Sequence, residues 1–191
     1  MGELIYGLTP VQWNVLGVIG TWVAGIGSSA AVVAALYLSN RSIRLRANVE
    51  VTTAILFGAN VDDETYIQFS IVNTGERRIN IQQIGWRVGV FKKGLAVQFV
   101  PNVPGNSLLP IALEHGERAH WHIPMGRTVT DPDAWERRFA RMMLLQHGTI
   151  GLRSLRGYFS TSIGTVFYTK PKPSVRDRLR QALNIEQARE H

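Results

Sequence analysis

From Val15 to Leu38 the chain runs for 24 residues without a formal charge. No other stretch restricts the fold so strongly. As a helix it spans about 36 Å, enough to cross a hydrocarbon layer of roughly 30 Å with some tilt. Trp13 and Tyr37 flank it, at the depth where amphipathic rings favour a membrane interface. A core helix of this length would carry polar residues along one side; here only Thr21, Ser28, Ser29 and glycines interrupt the apolar run. A secretion signal would start with basic residues and have a shorter apolar stretch, whereas "MGELIYGLTPVQWN" contains no Lys or Arg. The expectation is a transmembrane helix over 15–38, with an extracytoplasmic tail at 1–14.

Sidedness follows from charge. Arg41, Arg44 and Arg46 come directly after the span, and nothing basic precedes it. The positive-inside tendency then places the N-terminus outside and the remainder in the cytoplasm, on a single-pass protein of the inner membrane, with 39–47 as a basic juxtamembrane linker. On a wheel of about 100° per residue, Val18, Ile19, Trp22, Val23, Ile26, Val32 and Val33 share one half of the helix. Gly17, Gly20, Thr21, Ala24, Gly27, Ser28, Ala31, Ala34 and Ala35 occupy the other. A face of small residues lets two backbones approach closely in lipid, so self-association or a partner membrane helix is expected.

After the linker the pattern changes to short strands and turns. "NVEVTTAILF" reads as a first strand and "GANVDDE" as a turn, and "TYIQFSIVN" alternates with Ile67, Phe69 and Ile71 on one face. In "INIQQIGWRVGVF" the apolar positions are odd at Ile79 and Ile81 but even at Ile84, Trp86, Val88 and Val90. A bulge near Gln82-Gln83 is therefore expected. "KKG" turns into "LAVQFV", and "GERAHWHIP" makes another strand. A helix at about 131–147 interrupts, with Asp131 as N-cap, Pro132 at the first helical position, Asp133 in the first turn, Trp135, Phe139 and Met142 or Met143 on its apolar side, and Gly148 as its end. "GLRSLRGYFSTSIGTVFYT" returns to strands. The expected architecture is mainly β: an antiparallel Ig-like sandwich over 48–170, with a small closed barrel as the alternative. A C-terminal amphipathic helix over 171–191 follows, with Ser174 and Asp177 at capping-box spacing. Its stripe of Val175, Leu179, Ala182 and Leu183 suits either docking on the sandwich or lying on an anionic leaflet.

Composition narrows the chemistry. There is no cysteine, which excludes disulfides and thiolate metal sites. All 21 Lys and Arg, but only 13 of the 14 acids, follow Asn40, leaving that part at a net +8. Such a balance points to an anionic neighbour, whether lipid headgroups, a small anion or nucleic acid. Arg87, Lys92 and Lys93 in "WRVGVFKKG", with Arg153 and Arg156 in "GLRSLRGYF", are the candidate contacts for an anionic small ligand. They do not make the continuous stripe that specific nucleic-acid recognition requires, and Trp86 has inward parity. His120 and His122 lie two apart on one strand. With His115 or Glu117 they offer divalent-metal ligands, the basis of an enzymatic alternative. Because Ala119, Trp121 and Ile123 take the inward face, an exposed histidine pair without metal is expected. Asp62, Asp63 and Glu64 lack the spacing of a calcium loop. No nucleophile elbow or phosphate-loop motif occurs. The expectation is a non-enzymatic module without a cofactor.

"VAALYLSNRSIRLR" running into a strand, then "IVNTGERRINIQQIGWRVG" and "LRGYFSTSIGTVF", resembles bacterial and phage-borne one-pass membrane proteins with a cytoplasmic sandwich. The architecture is also similar to small membrane effectors of bacterial antiviral systems. That resemblance implies a cytosolic β domain sensing a nucleotide-type signal while membrane helices oligomerise. Those effectors often have two or more spans and this chain has one, so a pore would need several copies. A membrane-anchored sensor or adaptor, a membrane-perturbing effector in phage defence, and a metal-dependent enzyme on His120 and His122 are the three functions these residues leave open.

Overall fold

The computed structural model describes residues 10–43, 45–56, 65–90 and 93–190. The first nine residues of the tail, Arg44, the turn containing Asp62, Asp63 and Glu64, and Lys92 lie outside the described residues. The chain forms two compact units, 1–44 and 45–191.

The first unit is one helix, α1 (Pro10–Ile43). It extends beyond the uncharged run at both ends, so residues assigned to the tail and the linker are helical. Val11–Leu38 is long and apolar enough to cross a membrane, with a mean hydropathy of 1.7. Trp13 and Tyr37 are exposed near its two ends. The hydroxyls of Thr21 and Ser29 donate to the carbonyls of Gly17 and Gly25, each at 2.9 Å. Both are thereby satisfied within the helix, as an apolar solvent demands.

The second unit has two antiparallel sheets. β1 (Ala47–Ile55), β2 (Thr65–Asn73) and β6 (Arg118–Pro124) form one, in the order β1-β2-β6. β3 (Ile79–Val88), β4 (Gly94–Val97), β7 (Arg156–Thr161) and β8 (Val166–Thr169) form the other, in the order β4-β3-β7-β8. β5 (Ile111–Leu113) pairs with β3 on the same edge as β4. The parity change in β3 is a register shift against β7 between Ile81 and Gln83. The extra residue lets Ile79, Ile81, Ile84, Trp86 and Val88 all face inward and be buried. Val90, expected inward as well, lies past the end of β3 and is exposed.

Aromatic rings join the sheets. Phe69 of β2 meets Trp86 and Phe159 edge-on, with centroids 4.9 and 5.8 Å apart, and Trp121 approaches Phe159 at 6.1 Å. Asn73 is fully buried and ties down the turn after β2. Its Nδ2 donates to the carbonyls of Arg77 and Leu113, and its Oδ1 accepts from Gly75 N–H. The carbonyl of Arg46 accepts from Thr74 and Gly75 N–H, both at 3.0 Å, which attaches the former linker to the same turn.

Two expectations need correction. Among the described residues helix, at 39%, exceeds strand, at 32%, so the β content is smaller than expected. The sheets are separate rather than closed into a barrel. Part of the extra helix is α1, and part lies between β6 and β7. There α2 (Trp135–Phe139) passes through a π turn (Ala140–Leu144) and a 3-10 turn (Leu145–His147) into α3 (Gly148–Ser154). The helix starts at Trp135 because Asp131 Oδ1 accepts from Asp133 N–H at 2.9 Å and holds a local turn instead of capping. Gly148 continues the helical path. α2 lays Trp135 and Phe139 against Trp86, at 5.8 and 5.4 Å between centroids.

α4 (Pro173–Glu190) docks on this unit, burying Val175, Leu179, Ala182 and Leu183 in the common core. Ser174 does not cap it; its hydroxyl accepts from Thr53 Oγ1 on β1. Buried charges pin α4 to the α2 segment. Arg137 pairs with Glu186, Arg141 Nε lies 3.6 Å from the same carboxylate, and Arg178 Nη2 also donates to the Gly126 carbonyl.

On the outer side of the larger sheet, Leu95 and Val97 of edge strand β4 are exposed, followed by Phe99 at 83%.

Candidate functional site

Three of the candidate cations converge. Arg87 near the end of β3, Arg153 on α3 and Arg156 at the start of β7 line one cleft of about 360 Å³. Lys170, just past β8, joins them. β3 and β7 pair antiparallel with Arg87 opposite Arg156, so the sheet register itself places two guanidinium groups side by side. Gly89, Val90, Ile150 and Ser154 are the other described residues of the lining, and among the described lining residues none is acidic. Among the described residues, none of the four cations is ion-paired with a carboxylate.

Local structure explains the convergence. Gly89 follows β3 with φ at +92°, a backbone conformation open to glycine, and turns the chain out of the sheet. Its N–H donates to Ser154 Oγ at 2.9 Å, and that hydroxyl donates to Gly151 O at 3.0 Å. The end of α3 is thereby tied to the end of β3. Gly151 allows close packing: a Cβ there would come within 2.7 Å of His147 Cβ and 3.4 Å of Val88 Cγ1. Arg153 reaches the cleft because α3 lies this close. Arg87 is half-buried and stacks over the Tyr168 ring, with its guanidinium carbon 5.1 Å from the centroid. Arg153, Arg156 and Lys170 are exposed. Like-charged groups held together without a counter-ion favour an incoming anion, and the planar fork of arginine matches phosphate or carboxylate oxygens.

Lys93 is exposed and does not line the cleft. Lys170 was missed because it sits in "TKPKP", which reads as a linker; the only signal was its position directly after the last strand.

The histidine pair differs from expectation. Ala119, Trp121 and Ile123 do face inward. His122, on the outer side, is nevertheless only 5% exposed. Asn106, from the loop before β5, covers it: Asn106 Oδ1 accepts from His122 N–H and lies 3.0 Å from His122 Nδ1, while Asn106 Nδ2 donates to the His122 carbonyl. Burial, and then the neighbouring His120 ring 5.2 Å away, hold His122 below its ordinary pKa. His115 Nδ1 contacts Gly75 O, and Glu117 accepts from Glu114 N–H. Among the described residues, no three His, Asp or Glu side chains come together as a metal-binding group.

The fold and the cleft together define a helix-bearing antiparallel sandwich with a basic pocket at one end. No protein-family model and no curated protein matches the chain. Two solved structures are similar. One is the X-ray structure of Northeast Structural Genomics Consortium target SoR45, 13% identical, covering 66% of this chain and 82% of that one with a TM-score of 0.26. The other is the solution structure of a protein described as late embryogenesis abundant, 14% identical, covering 86% and 91%, with a TM-score of 0.28. At that overlap neither bears on function.

Proposed function

We propose that this chain is a single-pass, membrane-anchored binding module without enzymatic activity, whose sandwich lies in the cytoplasm and captures a small anionic ligand. One observation carries the reading: Arg87, Arg153, Arg156 and Lys170 line one cleft with no acidic residue among its described lining. The orientation rests on the arginines that follow the apolar run and on their absence before it. The strand order β1-β2-β6 against β4-β3-β7-β8 supports an Ig-like sandwich. The test is calorimetric titration of the full chain, in neutral detergent, with inorganic phosphate. Binding should weaken as salt rises and disappear in Arg87→Glu/Arg156→Glu. Absence of binding to the wild-type chain would sink the reading. Protease accessibility in right-side-out and inverted vesicles checks the orientation.

A second reading has its own observation. Among the described residues, no part of the chain outside the neighbouring helix backbone comes within 4 Å of a methyl group added at Gly17, Gly20 or Gly27, on the small face of α1, as close packing of a second helix there requires. Self-association there would make the chain an oligomerising effector that perturbs the membrane, in the manner of phage-defence proteins. Induced expression should then depolarise cells, and Ala24→Leu or Gly27→Leu should prevent it. Cells that stay polarised under every trigger tried would remove this reading.

A further inference from the structure

Building on the anion-binding reading, we infer that the cleft takes a dissolved phosphate monoester with an apolar or planar organic part. The cleft has two chemically different walls. One is cationic: Arg87 opposite Arg156 across the β3–β7 pair, with Arg153 and Lys170 beside them. The Tyr168 ring holds the Arg87 guanidinium in place before any ligand arrives, so less side-chain freedom is lost on binding. The other wall is apolar. Val90 and Ile150 line the same cleft and are 58% and 64% exposed. A bare anion would neutralise the first wall and leave the second wet. A phosphate ester satisfies both, its phosphate at the arginine forks and its organic body over Val90 and Ile150.

Size and placement narrow the ligand further. About 360 Å³ is near the lower end of small-molecule sites, which run from roughly 300 to 1,000 Å³. That fits one or two rings with a phosphate. Arg87 and Arg156 sit at the end of the sandwich opposite Ala47, where β1 begins. The commitment is to a dissolved ester, whose small organic body matches the size of the cleft, rather than to a lipid headgroup, which shares the phosphate chemistry.

The test uses the full chain in neutral detergent, titrated with inorganic phosphate, adenosine monophosphate and adenosine. Adenosine monophosphate should bind about tenfold tighter than inorganic phosphate, and adenosine should show no binding. Ile150→Ser and Val90→Ser, with unchanged melting temperatures, should bring the monophosphate down toward inorganic phosphate and leave phosphate affinity as it was. If the monophosphate binds no tighter than phosphate, or the serine variants weaken both equally, the inference falls while anion binding stands. If neither phosphate compound binds, both fall. In a second arm the chain is placed in phosphatidylcholine discs with and without phosphatidylglycerol. Unchanged monophosphate affinity supports a dissolved ligand; displacement by phosphatidylglycerol assigns the site to headgroups and overturns that choice.

Discussion

Arg178 Nη2 of α4 lies 2.8 Å from Glu136 Oε1 of α2, and Glu136 is completely buried. The contact is ionic rather than a well-directed hydrogen bond; the other carboxylate oxygen accepts from Gly126 N–H at 3.0 Å. Further along each helix the polarity reverses, with Arg137 of α2 against Glu186 of α4, both almost entirely buried. Removing one partner leaves a charge in a poor solvent. Glu186→Ala should therefore cost about 3–5 kcal/mol, measured by denaturant unfolding. Replacing Arg137 and Glu186 together by methionine should cost much less, since the loss comes mainly from the stranded partner.

Asn73 makes the second prediction. Its amide holds three backbone groups, two in the "NTGERR" turn and one at neighbouring Leu113. Asn73→Ala takes a donor from the Arg77 and Leu113 carbonyls, while Gly75 N–H keeps the Arg46 carbonyl, and should destabilise the unit by about 1–3 kcal/mol. Amide hydrogen exchange should speed up across the turn at 73–78.

Proline, turn and parity signals account for what could be read directly. The odd-to-even change between Ile81 and Ile84 announced the bulge because a strand has a strict two-residue period, and the sheet had to accommodate it. The start of α2 was not legible in the same way. Asp131-Pro132 has the chemistry of a cap, and only the bond to Asp133 N–H shows that it makes an isolated turn. The cleft was half legible. Arg87, Arg153 and Arg156 stood out as cations near aromatic residues, but their meeting depends on strand pairing and on how closely α3 approaches Val88, both long-range facts. The burial of His122 was hidden for the same reason, because Asn106 arrives from a separate loop.

His122 should make stability depend on pH. Its folded pKa is lowered by burial and then by His120, so the unfolded chain takes up the proton more readily. The stabilisation is complete above the unfolded value near 6.5. It declines as pH falls from there through the folded pKa. Melting temperature should drop over that interval, and His122→Phe should flatten the profile. An unchanged slope in the variant would assign the dependence to other groups.

Gly151→Val should test how the cleft is held together. The added side chain collides with His147 and Val88, an overpacking that costs about 1–3 kcal/mol. It should also push α3 outward and carry Arg153 away from Arg87, so phosphate affinity should fall even in molecules that remain folded.

The docking of α4 has a consequence for how the protein is made. Val175, Leu179, Ala182 and Leu183 belong to the core that the first strands also build, so that core stays open until the last helix has been synthesised. At about 5–20 residues per second, the ribosome needs roughly seven to thirty seconds to go from the end of α1 to the end of α4. Throughout that interval the apolar helix is already synthesised while the half-built sheets have nothing to close on. Delivery of α1 and folding of the remainder are thus separated in time by the order of the chain, and a nascent protein that stalls before Val175 would present its unfinished core to whatever surrounds it.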